Sequence, residues 1–253
     1  MRRWMLAGNW KMHNTIAEST ALAGAVVAGT AGATGGEIVV APVFTALFAV
    51  HEVIKGSHVA LAAQNVFYEE KGAYTGEVAP AMLKDAGCAY VIIGHSERRK
   101  YFHETDETVN AKVKKALSAG LKTILCVGET EEEREKGITE FVVGGQVKAG
   151  LYGVGSLEDV TIAYEPVWAI GTGKNATPDQ AQAVHAFIRG LLADAYGGAA
   201  SAGARVLYGG SVTPDNIGEL YAMEDIDGAL IGGASLKSES FIGIIKTVSG
   251  KRR

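Results

Sequence analysis

Glu165 lies between Ala163-Tyr164 and Pro166, at the point where a short apolar run over residues 160–164 stops. Proline cannot donate to a sheet ladder, so the run reads as a buried strand that Pro166 ends. A carboxylate there is held by a rigid element and followed at once by a mobile one. Val167, Trp168 and Ile170 offer bulky apolar surface, and Gly171 and Gly173 give the backbone freedom to turn. This combination suits a lid that closes over a ligand and shuts water away from it. A solvated loop with Glu165 on the surface reads the same stretch equally well, and residues 163–174 alone do not separate the two.

Other residues with chemical potential fall at similar places. Asn9-Trp10-Lys11 closes the apolar run 4–9, and Gly94-His95-Ser96-Glu97 follows the run 90–93. Gly209-Gly210-Ser211-Val212 follows 205–208, and Gly232-Gly233-Ala234-Ser235 follows 228–231. The two glycine pairs let backbone N–H groups approach an anion, and each leads towards a helix start, which favours negative charge. Lys11 adds one mobile cation. Two anion cradles and one cation point to a small phosphorylated substrate, with Glu165 and His95 at other strand ends. Each piece has a plainer reading: glycines turn chains, lone lysines face solvent, and isolated histidines are commonly satisfied core residues. The joint placement at strand ends gives the chemical reading its weight.

The elements that must position these residues alternate regularly. Strands are expected at 4–9, 38–41, 59–63, 90–93, 123–127, 160–164, 205–208 and 228–231. Most are continuous apolar runs, as in strands buried on both faces. Helices are expected at 16–29, 45–54, 80–86, 106–119, 130–148, 178–196, 214–221 and 237–248. Thr177-Pro178 and Thr213-Pro214 read as N-cap and first turn, and Gly87 and Gly120 as C-terminal stops. Eight strand–helix units without a linker predict one α/β domain over residues 1–253, a closed (β/α)8 barrel. An open doubly wound sheet is the alternative, because closure is not visible in a sequence. In a barrel, the chemically able residues would all lie on the rim where the strands end.

Composition narrows the class. The chain has 253 residues, 47% of them apolar, with a net charge of −4 and both signs interspersed. Nothing in it suggests a nucleic-acid or membrane surface. Arg2-Arg3 and Lys251-Arg252-Arg253 read as solvated tails. No apolar run nears the ~20 residues of a membrane span, no secretory signal opens the chain, and Cys88 and Cys126 are too few for a disulfide framework. A cytoplasmic setting is therefore expected. The six histidines show no HxH or HExxH spacing. A phosphate-binding GxxxxGK ending at Lys174 would need glycine where Trp168 stands and Ser or Thr where Asn175 stands. Cys126, inside a strand, reads as a small core residue.

Four separated motifs, Asn9-Trp10-Lys11-Met12, residues 93–99, residues 163–173 and Tyr208-Gly209-Gly210-Ser211-Val212, together resemble the triosephosphate isomerase family across essentially the whole chain. The resemblance implies a TIM barrel that interconverts dihydroxyacetone phosphate and D-glyceraldehyde 3-phosphate in glycolysis and gluconeogenesis, as a homodimer without cofactor or metal. That family is the standard worked case of a carboxylate base paired with a neutral histidine, and the roles of Glu165 and His95 follow it. Lys11 and Asn9 would serve the enediolate and the substrate, and Glu97 would pair with Lys11 or relay protons. Gly171, Ser211, Gly232 and Gly233 would hold the phosphate. One departure is His103, after Tyr101-Phe102, where glycine is expected.

Residues 64–77 form a long stretch between a strand and its helix, with Phe67, Tyr68 and Tyr74 among polar residues and glycines. A monomer gains little by exposing such aromatics, which favours an interface loop over a self-packed one. The resemblance implies that this loop inserts, around Thr75, into a second copy between Asn9 and His95. Two rivals remain at this stage: an aldolase forming a Schiff base on Lys11, and a catalytically silent phosphate-binding barrel. A silent binder would have no use for a base facing a hydrogen-bond donor.

Overall fold

The structure is a computed structural model that describes residues 2–171 and 174–250. Its strands are β1 (Trp4–Asn9), β2 (Gly36–Ala41), β3 (Val59–Ala63), β4 (Tyr90–Ile93), β5 (Lys122–Val127), β6 (Val160–Tyr164), β7 (Arg205–Tyr208) and β8 (Gly228–Ile231). They pair in parallel in chain order, and β8 closes onto β1 with Met5 opposite Gly228 and Gly8 opposite Ile231. The barrel is closed, which removes the doubly wound alternative. It is ringed by α1 (Ile16–Gly29), α2 (Leu47–Ile54), α3 (Pro80–Asp85), α4 (Ser96–Phe102), α5 (Asp106–Ser118), α6 (Glu131–Glu135), α7 (Thr139–Gly150), α8 (Pro178–Tyr196), α9 (Gly198–Gly203), α10 (Ile217–Ala222) and α11 (Ser238–Ser249). None of the helices in the described residues is long and apolar enough to cross a membrane.

Strand periodicity of two decides which side chains reach the site. Met5 and Ala7 of β1, Tyr90 and Ile92 of β4, Ala163 of β6 and Leu207 of β7 pack inside the barrel, with Cys126 among them. Their neighbours Trp4, Leu6, Val91, Ile162 and Val206 pack outward against the helices. Continuing the inward parity of β1 by one step reaches Asn9, and continuing that of β6 reaches Glu165. Both therefore sit on the barrel axis at the strand ends, 5% and 2% exposed. Burial pushes the Cys126 thiol's pKa upward, so it packs as a small apolar residue.

Local signals explain most helix limits. Thr177 caps α8 in a reciprocal capping box with Gln180, with Pro178 in the first turn. Gly87 and Gly120 both have positive φ, +90° and +75°, as helix stops require. The stretch 130–148, expected as one helix, is two: Gly137 at φ +68° ends α6, and α7 starts afresh at Thr139. Thr213 and Asn216 bond each other's backbone across Pro214, so that proline lies in a turn and α10 begins only at Ile217. The reading of Thr213-Pro214 as cap and first turn is thus corrected. Gly173 and residues 251–253, read above as a lid glycine and a basic tail, lie outside the described residues.

Candidate active site

Asn9, Lys11, His95, Glu165, Gly171, Ser211, Gly232 and Gly233 line one cavity of about 300 Å³ at the strand ends. That volume lies at the lower end of the range for small-molecule sites. Glu97 is set apart: it lines a neighbouring cavity of about 230 Å³ on the far side of Lys11. Gly209 and Gly210, read above as part of an anion cradle, line the larger cavity too, and sequence reading missed Thr213 and Leu230 there.

Asn9 Oδ1 accepts from the Lys11 N–H at 3.1 Å, which bends the chain so that Lys11 takes a left-handed φ of +52°. Gln64 fixes the same bend, donating from Nε2 to the carbonyls of Lys11 and Ala41, each at 2.8 Å. A non-glycine residue held at positive φ carries strain, and here three hydrogen bonds hold it. Lys11 Nζ then lies 2.6 Å from Glu97 Oε1. A methyl group on Gly232 would come within 3.2 Å of Lys11 Cε, so the bare glycine lets the lysine stem lie against the β8 loop.

His95 is the N-cap of α4, reached through Gly94 at φ +73°. Its Nδ1 accepts from the Glu97 backbone N–H at 3.2 Å, which leaves the ring proton on Nε2. Nε2 faces Glu165 Oε1 at 2.9 Å, and Glu165 Oε2 accepts from the Ser96 N–H at 2.9 Å. Burial pushes the Glu165 carboxylate's pKa up, but the His95 ring, the Ser96 amide and Lys11 outweigh it and hold it low. For His95, burial disfavours a second proton while Glu165, and to a smaller degree Glu97, favours it; in this arrangement the carboxylates prevail.

Backbone glycines make room for Glu165. A Cβ on Gly128 would lie 1.7 Å from the Glu165 carbonyl oxygen, and one on Gly209 would lie 2.8 Å from Glu165 Cγ. Neither could carry a side chain without displacing Glu165. Behind the base, Tyr164 Oη and Trp168 Nε1 both donate to Glu129 Oε1, at 3.1 and 2.9 Å. Sequence reading gave no role to Glu129, because its partners lie 35 and 39 positions away.

The triosephosphate isomerase family model matches residues 4–248. The chain is 58% identical over 247 residues to a triosephosphate isomerase of Chlorobium phaeovibrioides, covering 97% of this chain and 99% of that protein. It is 59% identical over 248 residues to that of Prosthecochloris aestuarii (97% and 98% covered) and 59% over 243 residues to that of Pelobacter propionicus (95% and 97%). With the closed barrel and a match running from β1 into α11, the chain belongs to the triosephosphate isomerase family.

Proposed function

We propose that the chain interconverts dihydroxyacetone phosphate and D-glyceraldehyde 3-phosphate through an enediolate, with Glu165 as the base. The observation that carries this is the 2.9 Å approach of His95 Nε2 to Glu165 Oε1 on a cavity that also presents Lys11 and two glycine loops. Glu165 leaves His95 and Ser96 to take a proton from the carbon beside the carbonyl, then returns a proton to the neighbouring carbon. Its departure frees the His95 Nε2–H to donate to the oxygen on which negative charge develops. Lys11 stabilises the same charge and the phosphate, Asn9 orients Lys11 and the substrate oxygen, and Glu97 holds Lys11 until substrate arrives. The amides of Gly171, Ser211, Gly232 and Gly233 receive the phosphate. The chemistry uses the chain's own groups and needs no cofactor.

The active form is a homodimer formed through residues 64–77. Met12, Phe44 and Phe102 are 91%, 39% and 63% exposed around the smaller cavity beside Asn9, Lys11 and His95. Within the loop, Phe67 stacks on Tyr68 and meets the Tyr74 ring at a tilt, while Tyr74 stays 44% exposed and Thr75 is exposed at the tip. A second copy's loop would cover this apolar ring. Cys88 and Cys126 are free, buried thiols, in keeping with a reducing cytoplasm.

The test is a coupled assay of glyceraldehyde 3-phosphate consumption, with a chelator present and no nucleotide beyond that of the coupling enzyme, followed by borohydride treatment with substrate. Rapid conversion without a trapped adduct is expected. A covalent adduct on Lys11 would favour the aldolase reading, and no conversion would leave only a binding barrel.

A further inference from the structure

Glu129 is a fully buried carboxylate that is tied to both sides of the proposed base. Tyr164, just before Glu165, and Trp168, three residues after it, donate to the same Glu129 oxygen, and the Val167 N–H donates to the Glu129 carbonyl at 3.1 Å. Its other oxygen, Oε2, is buried without a hydrogen-bond partner. A buried carboxylate demands a nearby cation. Among the described residues it forms one ion pair, to Arg134 Nη1 at 3.3 Å. The Arg134 guanidinium also lies over the Trp168 ring, 4.3 Å from its centroid.

We infer that Arg134 is a positioning residue for Glu165: it neutralises Glu129 and covers Trp168, fixing the backbone on either side of the base. The inference rests on the assignment of Glu165 as base. Arg134 reaches this place because α6 is built for it. Thr130 and Glu133 form a reciprocal capping box, and the Arg134 N–H closes the first turn onto the Thr130 carbonyl at 3.0 Å. The same helix holds the far side of the segment after the base, since Glu131 pairs with Lys174. A planar cation is needed to meet both a carboxylate and an indole face, which a lysine ammonium cannot do at once.

The test compares Arg134→Gln, Arg134→Lys and Glu165→Gln with the unmodified chain, measuring kcat, KM, thermal unfolding and the share of turnover lost as inorganic phosphate. Arg134→Gln removes the charge, and kcat should fall about ten- to a hundredfold, because small displacements of a catalytic group cost that much. KM should stay within about threefold, since substrate binding is untouched, and phosphate release should rise, because slower reprotonation gives the enediolate longer to expel its neighbouring phosphate. Arg134→Lys keeps the charge but loses the flat face, and its kcat should fall between the two. A purely structural role would lower the unfolding temperature and leave kcat per folded site unchanged. A folded Arg134→Gln with kcat within about twofold of wild type overturns the inference. Should that variant not fold, an unchanged kcat in Arg134→Lys overturns it. Activity surviving in Glu165→Gln would instead overturn the base assignment, so the two failures are distinct.

Discussion

One backbone amide decides which proton His95 carries. The Glu97 N–H occupies Nδ1, so on a neutral ring it is Nε2 that carries the proton towards Glu165. The residue types for this chemistry were legible in the sequence, because a carboxylate before proline and a histidine after glycine stand out at strand ends. What supports them was not. Gly128 and Gly209 look like any turn glycines, and only the folded approach of Glu165 shows that a Cβ there would collide with it. At a second histidine, His185 in α8, burial prevails over the Asp225 contacts that favour a proton. It is fully buried, with Nδ1 3.2 Å from the Asp225 carbonyl, and burial pushes its pKa down to about 4. An unfolded chain would bind that proton below about 6.5, so between these values the unfolded state holds more protons. Stability from this residue is complete above about pH 6.5 and is lost as pH falls towards 4, by an amount on the order of 3 kcal/mol. Urea unfolding at pH 7 and 4.5 should show a smaller loss for His185→Gln than for wild type. Equal losses would contradict the assignment.

At the scale of elements, apolarity located strands well where both faces are buried, as in β6, and less well where one end is polar. β2 begins at Gly36 and Glu37, two residues before its apolar run. Gly36 lies beneath the Trp4 ring, where a Cβ would come within 1.9 Å, and Glu37 meets Tyr90 and Arg205 at the opposite rim. Neither residue advertises a strand on its own. α4 has no counterpart among the expected helices, since its seven residues contain no buried side chain to set a period. That helix ends at His103, in the left-handed conformation with φ +54°. The expectation of glycine there now has a physical basis, because a Cβ is disfavoured in that conformation. His103→Gly should stabilise the chain by up to about 1 kcal/mol, raising the unfolding temperature by about 2–4 °C. A lowered unfolding temperature would show that the histidine side chain contributes more than its backbone costs.

For the molecule as a whole, eight strand–helix units were readable, but closure was not. It depends on Met5, Leu6, Ala7 and Gly8 of β1 meeting Gly228 to Ile231 of β8, a pairing separated by most of the chain. Closure is what brings Lys11, His95, Glu165 and the β8 glycines onto one cavity. Association of two copies belongs to this scale too. Thr75→Glu would bury a charge at the proposed interface, costing several kcal/mol. Sedimentation at micromolar protein should then show monomer, and an intact dimer would remove residues 64–77 from the interface. The central claim is that Glu165 moves a proton between adjacent carbons through an enediolate. Its most direct test is to run the isomerisation in D2O with wild type and Glu165→Gln and to locate deuterium in the product by NMR. The account predicts solvent deuterium on the carbon that receives the proton in the wild-type reaction, and loss of both turnover and incorporation in Glu165→Gln. Product formed without deuterium, as a direct hydride shift would give, or incorporation persisting in Glu165→Gln, would contradict it.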